Sequence, residues 1–399
     1  MNPIIIVGAG LAGWTTAREF RKLDATAPVV LITADSGDFY AKPTLSNAFA
    51  QKKTPDQLVV TPAAKMAETQ QVTLLAHTRV LSFDPGSQTV VTDKGSFEYS
   101  SLVLATGALP IRVPIAGDAA EQVLSVNSLD DFILFYGLLK SVESQRVCCL
   151  NSYENNSVKV VIMGAGLIGC EFANDLVNAG YHVSVVDPAN RPLGALLPEA
   201  ASEQLCVSLQ DIGVQWHFGT TVQAVNQGEK DVESSLQVTL LNGQTMPADV
   251  VLSAIGLRAD TRLAVAAGVA CERGILVNAA LQTSAPHVYA LGDSAQYASA
   301  GNITLPYVMP IMNAARALAQ TLNGSKAEVV FPIMPVAVKT PALPLMIAPP
   351  AMGAAGQWTS SESNVWQFKN AQNTTTGFVL VGAQTSKRAE MVKLLQPAL

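Results

Sequence analysis

Gly8, Gly10 and Gly13 stand in GxGxxG spacing directly after the apolar run Ile4-Ile5-Ile6-Val7. Gly164, Gly166 and Gly169 repeat that spacing after Val160-Val161-Ile162-Met163, 156 residues further on. Glycines at this spacing suit the pyrophosphate of a dinucleotide. The first permits a tight turn, the second lets backbone approach the phosphates, and the third lets strand and helix pack closely. The residues among and after them, Leu11, Ala12 and Ile168 included, open a helix whose positive N-terminus faces the anion. An acidic residue follows each copy: Asp35, 22 residues beyond Gly13, and Asp187, 18 beyond Gly169. Either carboxylate is able to accept hydrogen bonds from ribose hydroxyls. Asp187 also bears on which dinucleotide is used, because a carboxylate accepts a free 2′-hydroxyl and repels a 2′-phosphate. NADH is therefore the expected donor, with Arg191 near enough to soften the preference.

Such residues need elements to hold them. Each glycine motif is entered by a continuous apolar run, the mark of a parallel strand buried on both faces, and left by a helical pattern over 14–23 or 171–179. Strands over 29–34 and 183–186 lead to the two aspartates. A second echo lies inside each unit, where an apolar strand ends in small residues and glycine: 101–107, closing on Ala105-Thr106-Gly107, and 249–256. The pattern is that of an α/β protein with two doubly wound nucleotide-binding units, one nested in the other.

Composition narrows the remaining classes. With 399 residues, 49% hydrophobic and 14% charged, the chain has material for two or three domains with large cores. Its longest apolar stretch, near 341–356, is broken by Pro341, Pro344, Pro349 and Pro350, short of the roughly 20 clean residues of a membrane helix. The N-terminus lacks a basic run and a long apolar core, so no signal peptide is expected and the cytoplasm is the default compartment. A net charge of −6 without a basic stripe disfavours nucleic acid. Cys148, Cys149, Cys170, Cys206 and Cys271 form no CxxC pair, and His77, His182, His217 and His287 are scattered. Reduced, mostly buried thiols, structural histidines and no metal site are the expectation.

Val288-Tyr289-Ala290-Leu291-Gly292-Asp293 completes a set with the first glycine motif and Ala105-Thr106-Gly107. In that order, along the whole chain, the set resembles the FAD- and NAD(P)H-dependent pyridine-nucleotide reductases. The resemblance implies that Gly8, Gly10, Leu11, Ala12 and Gly13 hold the FAD pyrophosphate. It further implies that Asp35, Lys42, Pro43, Val80, Ala105, Thr106, Gly107, Gly292, Asp293 and Lys339 complete the FAD site, while Gly164, Gly166, Ile168, Gly169 and Asp187 take NADH. The implied organisation is an FAD-binding domain over 1–115 and 250–325, an NAD-binding domain over 116–249, and a smaller α+β C-terminal domain over 326–399 near the flavin.

Branches of this family differ in their electron acceptor. Disulfide-reducing members carry a close cysteine pair beside the flavin, and the peroxidase and oxidase branch carries a single cysteine. The corresponding stretch here, Tyr40-Ala41-Lys42-Pro43-Thr44-Leu45-Ser46-Asn47, has none and resembles reductases that serve small electron-transfer proteins. Within that branch, residues 164–175, 307–312, 314–320 and 334–341 resemble rubredoxin–NAD reductases. The implied reaction is hydride transfer from nicotinamide to FAD, then single-electron transfers to rubredoxin, a small acidic iron protein, supplying a hydroxylase such as alkane monooxygenase. By the same resemblance Lys42 lies against the flavin ring and Glu171 faces the nicotinamide–flavin junction, and these two are the candidates for tuning catalysis. Residues 326–399 carry six basic side chains against three acidic ones, an asymmetry able to steer an acidic carrier toward this segment and the Lys42–Lys53 region. Residues 144–157 are longer than the family's connection and read as a surface loop insertion. A ferredoxin reductase of an oxygenase system, an NADH-binding redox-sensing interaction protein and a direct NADH oxidase are the alternatives, the last lacking its usual cysteine.

Overall fold

Parallel strands that are apolar on both faces need cover on both. The computed structural model, which describes residues 2–148, 157–228, 234–351 and 353–395, contains two such sheets. The chain divides into two compact units: Met1–Ala41, Val59–Leu109 and Leu257–Pro332 make one, and Lys42–Leu58, Pro110–Gly256 and Ile333–Leu399 make the other.

In the first unit five parallel strands run in the order Val288–Ala290, Ser101–Leu104, Ile4–Val7, Val29–Ile32, Thr73–Leu75. All four residues of the central strand Ile4–Val7 are buried, and Ile5, Leu31, Leu102 and Val103 are fully so. Each such side chain contributes roughly 1.5–3 kcal/mol by leaving water. The helix Leu11–Arg21 buries Ala12, Gly13, Trp14, Ala17 and Phe20 and packs on the helix Val308–Leu322. Its last turn carries Arg18 and Arg21, cations where the helix end is negative. An antiparallel sheet of Val80–Asp84, Thr89–Thr92 and Gly95–Glu98 belongs to the same unit.

The second unit repeats the plan with four parallel strands in the order Gln215–Phe218, His182–Asp187, Lys159–Met163, Val250–Ser253. An antiparallel trio, Val222–Gln227, Leu236–Leu240 and Thr245–Ala248, accompanies it. The C-terminal part forms a five-stranded antiparallel sheet, Val336–Val338, Leu345–Ala348, Thr375–Val381, Val365–Lys369 and Gln357–Glu362, with the helix Arg388–Leu394 packed on it.

Several boundaries differ from those read in the sequence. The glycine-motif helices start at Leu11 and Leu167 rather than at 14 and 171, because residues of the motif itself form the first turn. Strand Val250–Ser253 pairs with Lys159–Met163, so the chain passes back to the first unit at Leu257 instead of near 250. By its contacts the segment Lys42–Leu58 falls in the second unit, as does Ile333–Leu399. The expected surface loop over 144–157 is corrected in its first part, since the helix Leu129–Cys148 runs on through Ser144. Glu143, Gln145 and Arg146 are good helix formers, and Arg146 is anchored on Asp249, its Nη2 donating to Oδ1 at 2.9 Å and to Oδ2 at 2.7 Å. The rest of that insertion, 149–156 with Cys149, lies outside the described residues.

Candidate active site

The first cradle is made by strand Ile4–Val7 turning through glycine into the helix Leu11–Arg21. Gly8 has φ +110°, and a side chain there would meet the Ala105 carbonyl at 2.3 Å. A Cβ on Gly13 would lie 1.9 Å from the Gly8 oxygen, so strand and helix touch only because both positions are glycine. Gly10, in contrast, faces open space, and the helix it starts has no side-chain cap. Open space in front of uncapped helix-terminal N–H groups is what a pyrophosphate requires, so these residues fit a dinucleotide.

Motifs far apart in sequence close around this helix start. The Ala105 N–H donates to the Val7 carbonyl at 2.9 Å, and Thr106 Oγ1 donates to the Asp260 carbonyl at 2.8 Å. Gly107 follows at φ +73°, and its carbonyl accepts from the Asp260 N–H at 2.9 Å. A Cβ on Gly292 would stand 3.0 Å from Ala12, which places Asp293 one residue from the helix's first turn. The Gly292 N–H donates to the buried Tyr297 hydroxyl at 2.7 Å, and burial raises the pKa of that hydroxyl. Asp35 commits Oδ1 to its own turn, accepting from Thr33 Oγ1 at 2.6 Å and the Gly37 N–H at 3.0 Å. Val80 begins its strand half-buried against the same core.

The second cradle repeats the geometry. Gly164 has φ +104° with the Ala254 carbonyl 2.7 Å from a hypothetical Cβ, Gly169 would clash with the Gly164 oxygen at 1.9 Å, and Gly166 is open. Ile168 is 36% exposed on the uncapped first turn of the helix Leu167–Asn178. Asp187 latches this loop, with Oδ2 accepting from the Ala165 N–H at 2.6 Å and Oδ1 from the Ala189 N–H at 2.7 Å. Cys170 is fully buried one residue past Gly169, and burial pushes its thiol pKa far up.

A third cluster gathers Lys42, Pro43, Glu171 and Lys339, all within the second unit. Glu171, 8% exposed, accepts from Ser46 Oγ at 2.6 Å, from the Lys339 N–H at 2.9 Å and from Lys339 Nζ at 2.6 Å. Lys339 Nζ also donates to Ser46 Oγ at 2.9 Å and to the Pro43 carbonyl. Lys42, exposed, reaches Asn127 Oδ1 at 3.4 Å. Glu171 is thus neutralised by a bonded ammonium with its remaining lone pairs shared, the condition a nearly buried carboxylate needs.

Asn127, Asn174, Asp175 and Ser46 also stand at the site, and the motifs assign none of them a role. The signal for two of these was available: Asn174 and Asp175 are polar residues in mid-helix among apolar neighbours, one turn beyond Glu171. Asp175 accepts from the Phe49 and Ala50 N–H groups, both at 2.9 Å, and Asn174 Oδ1 accepts from the Ala342 N–H at 3.0 Å. Burial raises the Asp175 pKa, and those amides together with the Lys339 charge oppose the rise.

Comparison with known proteins supplies a separate line. Residues 2–321 match the pyridine nucleotide-disulphide oxidoreductase family, and residues 328–395 match a rubredoxin binding C-terminal domain. The chain is 43% identical over 398 residues to a rubredoxin-NAD(+) reductase of Alcanivorax borkumensis, covering 99% of each. It is likewise 43% identical over 406 residues to one of Acinetobacter baylyi, covering 100% of this chain and 99% of that one. Among solved structures, a ferredoxin reductase from Rhodopseudomonas palustris is similar with a TM-score of 0.84 at 25% identity, over 98% of this chain and 93% of the other.

Proposed function

The chain belongs to the pyridine nucleotide-disulphide oxidoreductase family, and from that premise we propose that it carries electrons from NADH through FAD to rubredoxin. The observation that carries this reading is the match of residues 328–395 to a rubredoxin binding domain, directly after the nucleotide-binding region. Bound FAD would supply the conversion of a two-electron donor into one-electron steps.

In this reading the protein's own residues bind, orient and set charge. The first-turn N–H groups after Gly10 take the FAD pyrophosphate, and Ala105, Thr106, Gly107, Gly292, Asp293, Asp35 and Val80 line the remainder of the first-unit site. Gly164, Gly166, Ile168 and Gly169 take the NADH pyrophosphate, and Asp187 accepts from its ribose. Lys42 and Lys339 provide cations for an electron-rich ring, while Glu171 holds Lys339 and Ser46 in place. The carrier would serve a hydroxylase such as alkane monooxygenase, in the cytoplasm where NADH is at hand. The second reading, a ferredoxin reductase, is favoured by the fold likeness to such an enzyme.

Anaerobic stopped flow separates the two. The NADH-reduced protein is mixed with rubredoxin and, separately, with a two-iron ferredoxin. Rubredoxin is expected to reoxidise it at least about tenfold faster, the difference a complementary docking surface produces. Reoxidation by ferredoxin alone would transfer the assignment to the second reading, and reoxidation by neither would remove both.

A further inference from the structure

The helix Leu167–Asn178 carries three buried polar side chains, Glu171, Asn174 and Asp175, at positions i, i+3 and i+4, hence on one face. All three are buried, Asn174 fully and Asp175 to 2% exposure. Glu171 grips Ser46 and Lys339, Asn174 grips the backbone at Ala342, and Asp175 grips the backbone at Phe49 and Ala50. One helix face therefore ties down both segments that bear the lysine candidates, 42–53 with Lys42 and Pro43, and 339–342 with Lys339.

Asp175 touches none of those candidates. Its two oxygens bind consecutive N–H groups just past the 3-10 turns Lys42–Asn47, so the carboxylate anchors the end of that segment, and the segment carries Lys42 at its start. Phe49, whose amide it holds, is also packed by Phe132, Phe135, Tyr136 and Tyr181, with ring centroids 5.4–5.8 Å away. Phe49 is the one aromatic residue of 42–53, so the rings fix which residue of the segment sits there. Hydrogen bonds from two successive amides to one carboxylate add orientation, because they weaken steeply with distance and angle. A buried carboxylate is otherwise a poor choice on an apolar helix, where leucine would pack without the desolvation penalty.

We propose that Asp175 is a positioning residue for the cofactor site: through the Phe49 and Ala50 backbone it sets the placement of Lys42 and Pro43 relative to the Glu171–Lys339 pair. The inference rests on the reading above, in which these groups serve FAD.

The test uses full-length, FAD-loaded protein and the substitutions Asp175→Ala, Asp175→Asn, Lys42→Ala and the double variant Asp175→Ala/Lys42→Ala. Flavin reduction by NADH, the flavin visible spectrum, the flavin midpoint potential from dithionite titration, and the melting temperature are measured for each. Asp175→Ala is expected to slow flavin reduction about tenfold and to lower the potential, with NADH affinity unchanged, the pattern of a misplaced group instead of a lost contact. Asp175→Asn keeps one acceptor oxygen and is expected to recover about a third of the rate. In the Lys42→Ala background the loss from Asp175→Ala should shrink to about twofold, since both act through one group. A lower melting temperature with wild-type reduction rate, spectrum and potential would make Asp175 merely structural and overturn the proposal. Full additivity with Lys42→Ala would overturn it as well. If Asp175→Ala does not fold, Asp175→Asn carries the same comparisons. The titration needs no NADH, so a wild type that NADH fails to reduce would sink the functional reading separately from the effect of Asp175 on the potential.

Discussion

Asp187 holds its loop, and under the proposed function it also chooses the ligand. Both of its oxygens accept backbone N–H groups, at Ala165 and Ala189, yet each carboxylate oxygen has a second lone pair for a ribose hydroxyl. Arg191 donates to the Gly194 carbonyl at 3.4 Å and lies 3.8 Å from Glu199, contacts that compete with a 2′-phosphate for its guanidinium. Steady-state comparison should give a kcat/KM for NADH at least about tenfold above that for NADPH, with Asp187→Asn narrowing the gap. Equal use of the two donors would remove Asp187 from the site. Cys170 makes the opposite case, a suggestive neighbour of the second glycine motif without a chemical role. Its thiol pKa is raised first by burial and then by the Asp187 and Glu171 charges, so the thiol stays protonated at neutral pH and well above it, and only thiolate is nucleophilic. Native protein treated with iodoacetamide at pH 8 should therefore show no label at Cys170 by mass spectrometry and should lose no NADH-dependent turnover through that residue.

The two glycine elements are the same object twice, which permits a paired experiment. Gly13 and Gly169 each have a carbonyl oxygen 1.9 Å from where a Cβ would stand, so alanine at either site must push its helix off its strand. Gly13→Ala should be isolated colourless or with little flavin, whereas Gly169→Ala should stay yellow and be reduced by NADH about a hundredfold more slowly, a displacement of order 1 Å sufficing for that. The reverse pattern would exchange the roles of the two cradles. These elements were legible in the sequence because their causes are local: buried parallel strands read as apolar runs, and the turn demands glycine where φ is positive. The third cluster was legible only by resemblance, and in pieces. Ser46 and Lys339 meet Glu171 from 125 and 168 residues away, and no local pattern encodes such a meeting. Asp175 escaped notice because its partners are backbone amides, which every residue has. The stretch from Ser144 reads as a loop for a related reason: a helix end rich in polar residues looks like one until Arg146 finds Asp249.

On the scale of the whole molecule, charge is distributed unevenly. The chain carries −6, yet residues 326–399 hold six basic and three acidic side chains, a local +3. Two of those cations are internally engaged, Lys339 with Glu171 and Lys387 with Glu362, and Lys326 belongs to the first unit. Lys369 is half-buried, so Arg388 and Lys393, exposed on the helix Arg388–Leu394 beside Glu390, are left as the cations most able to act at a distance. An acidic carrier approaching a negative protein is repelled overall, so a local positive field selects the productive direction of approach and speeds encounter, with less influence on the lifetime of the complex. Raising salt from about 50 to about 500 mM shortens the screening length severalfold and should slow the second-order reoxidation by rubredoxin about tenfold. Flavin reduction by NADH, which does not depend on that encounter, should change less than about twofold over the same range. The double substitution Arg388→Glu/Lys393→Glu should lower the low-salt rate and flatten its salt dependence together, because both would arise from the same charges. A reoxidation rate indifferent to salt would mean that docking is governed by apolar fit, and the charge asymmetry of the C-terminal segment would then be an ordinary solvated face.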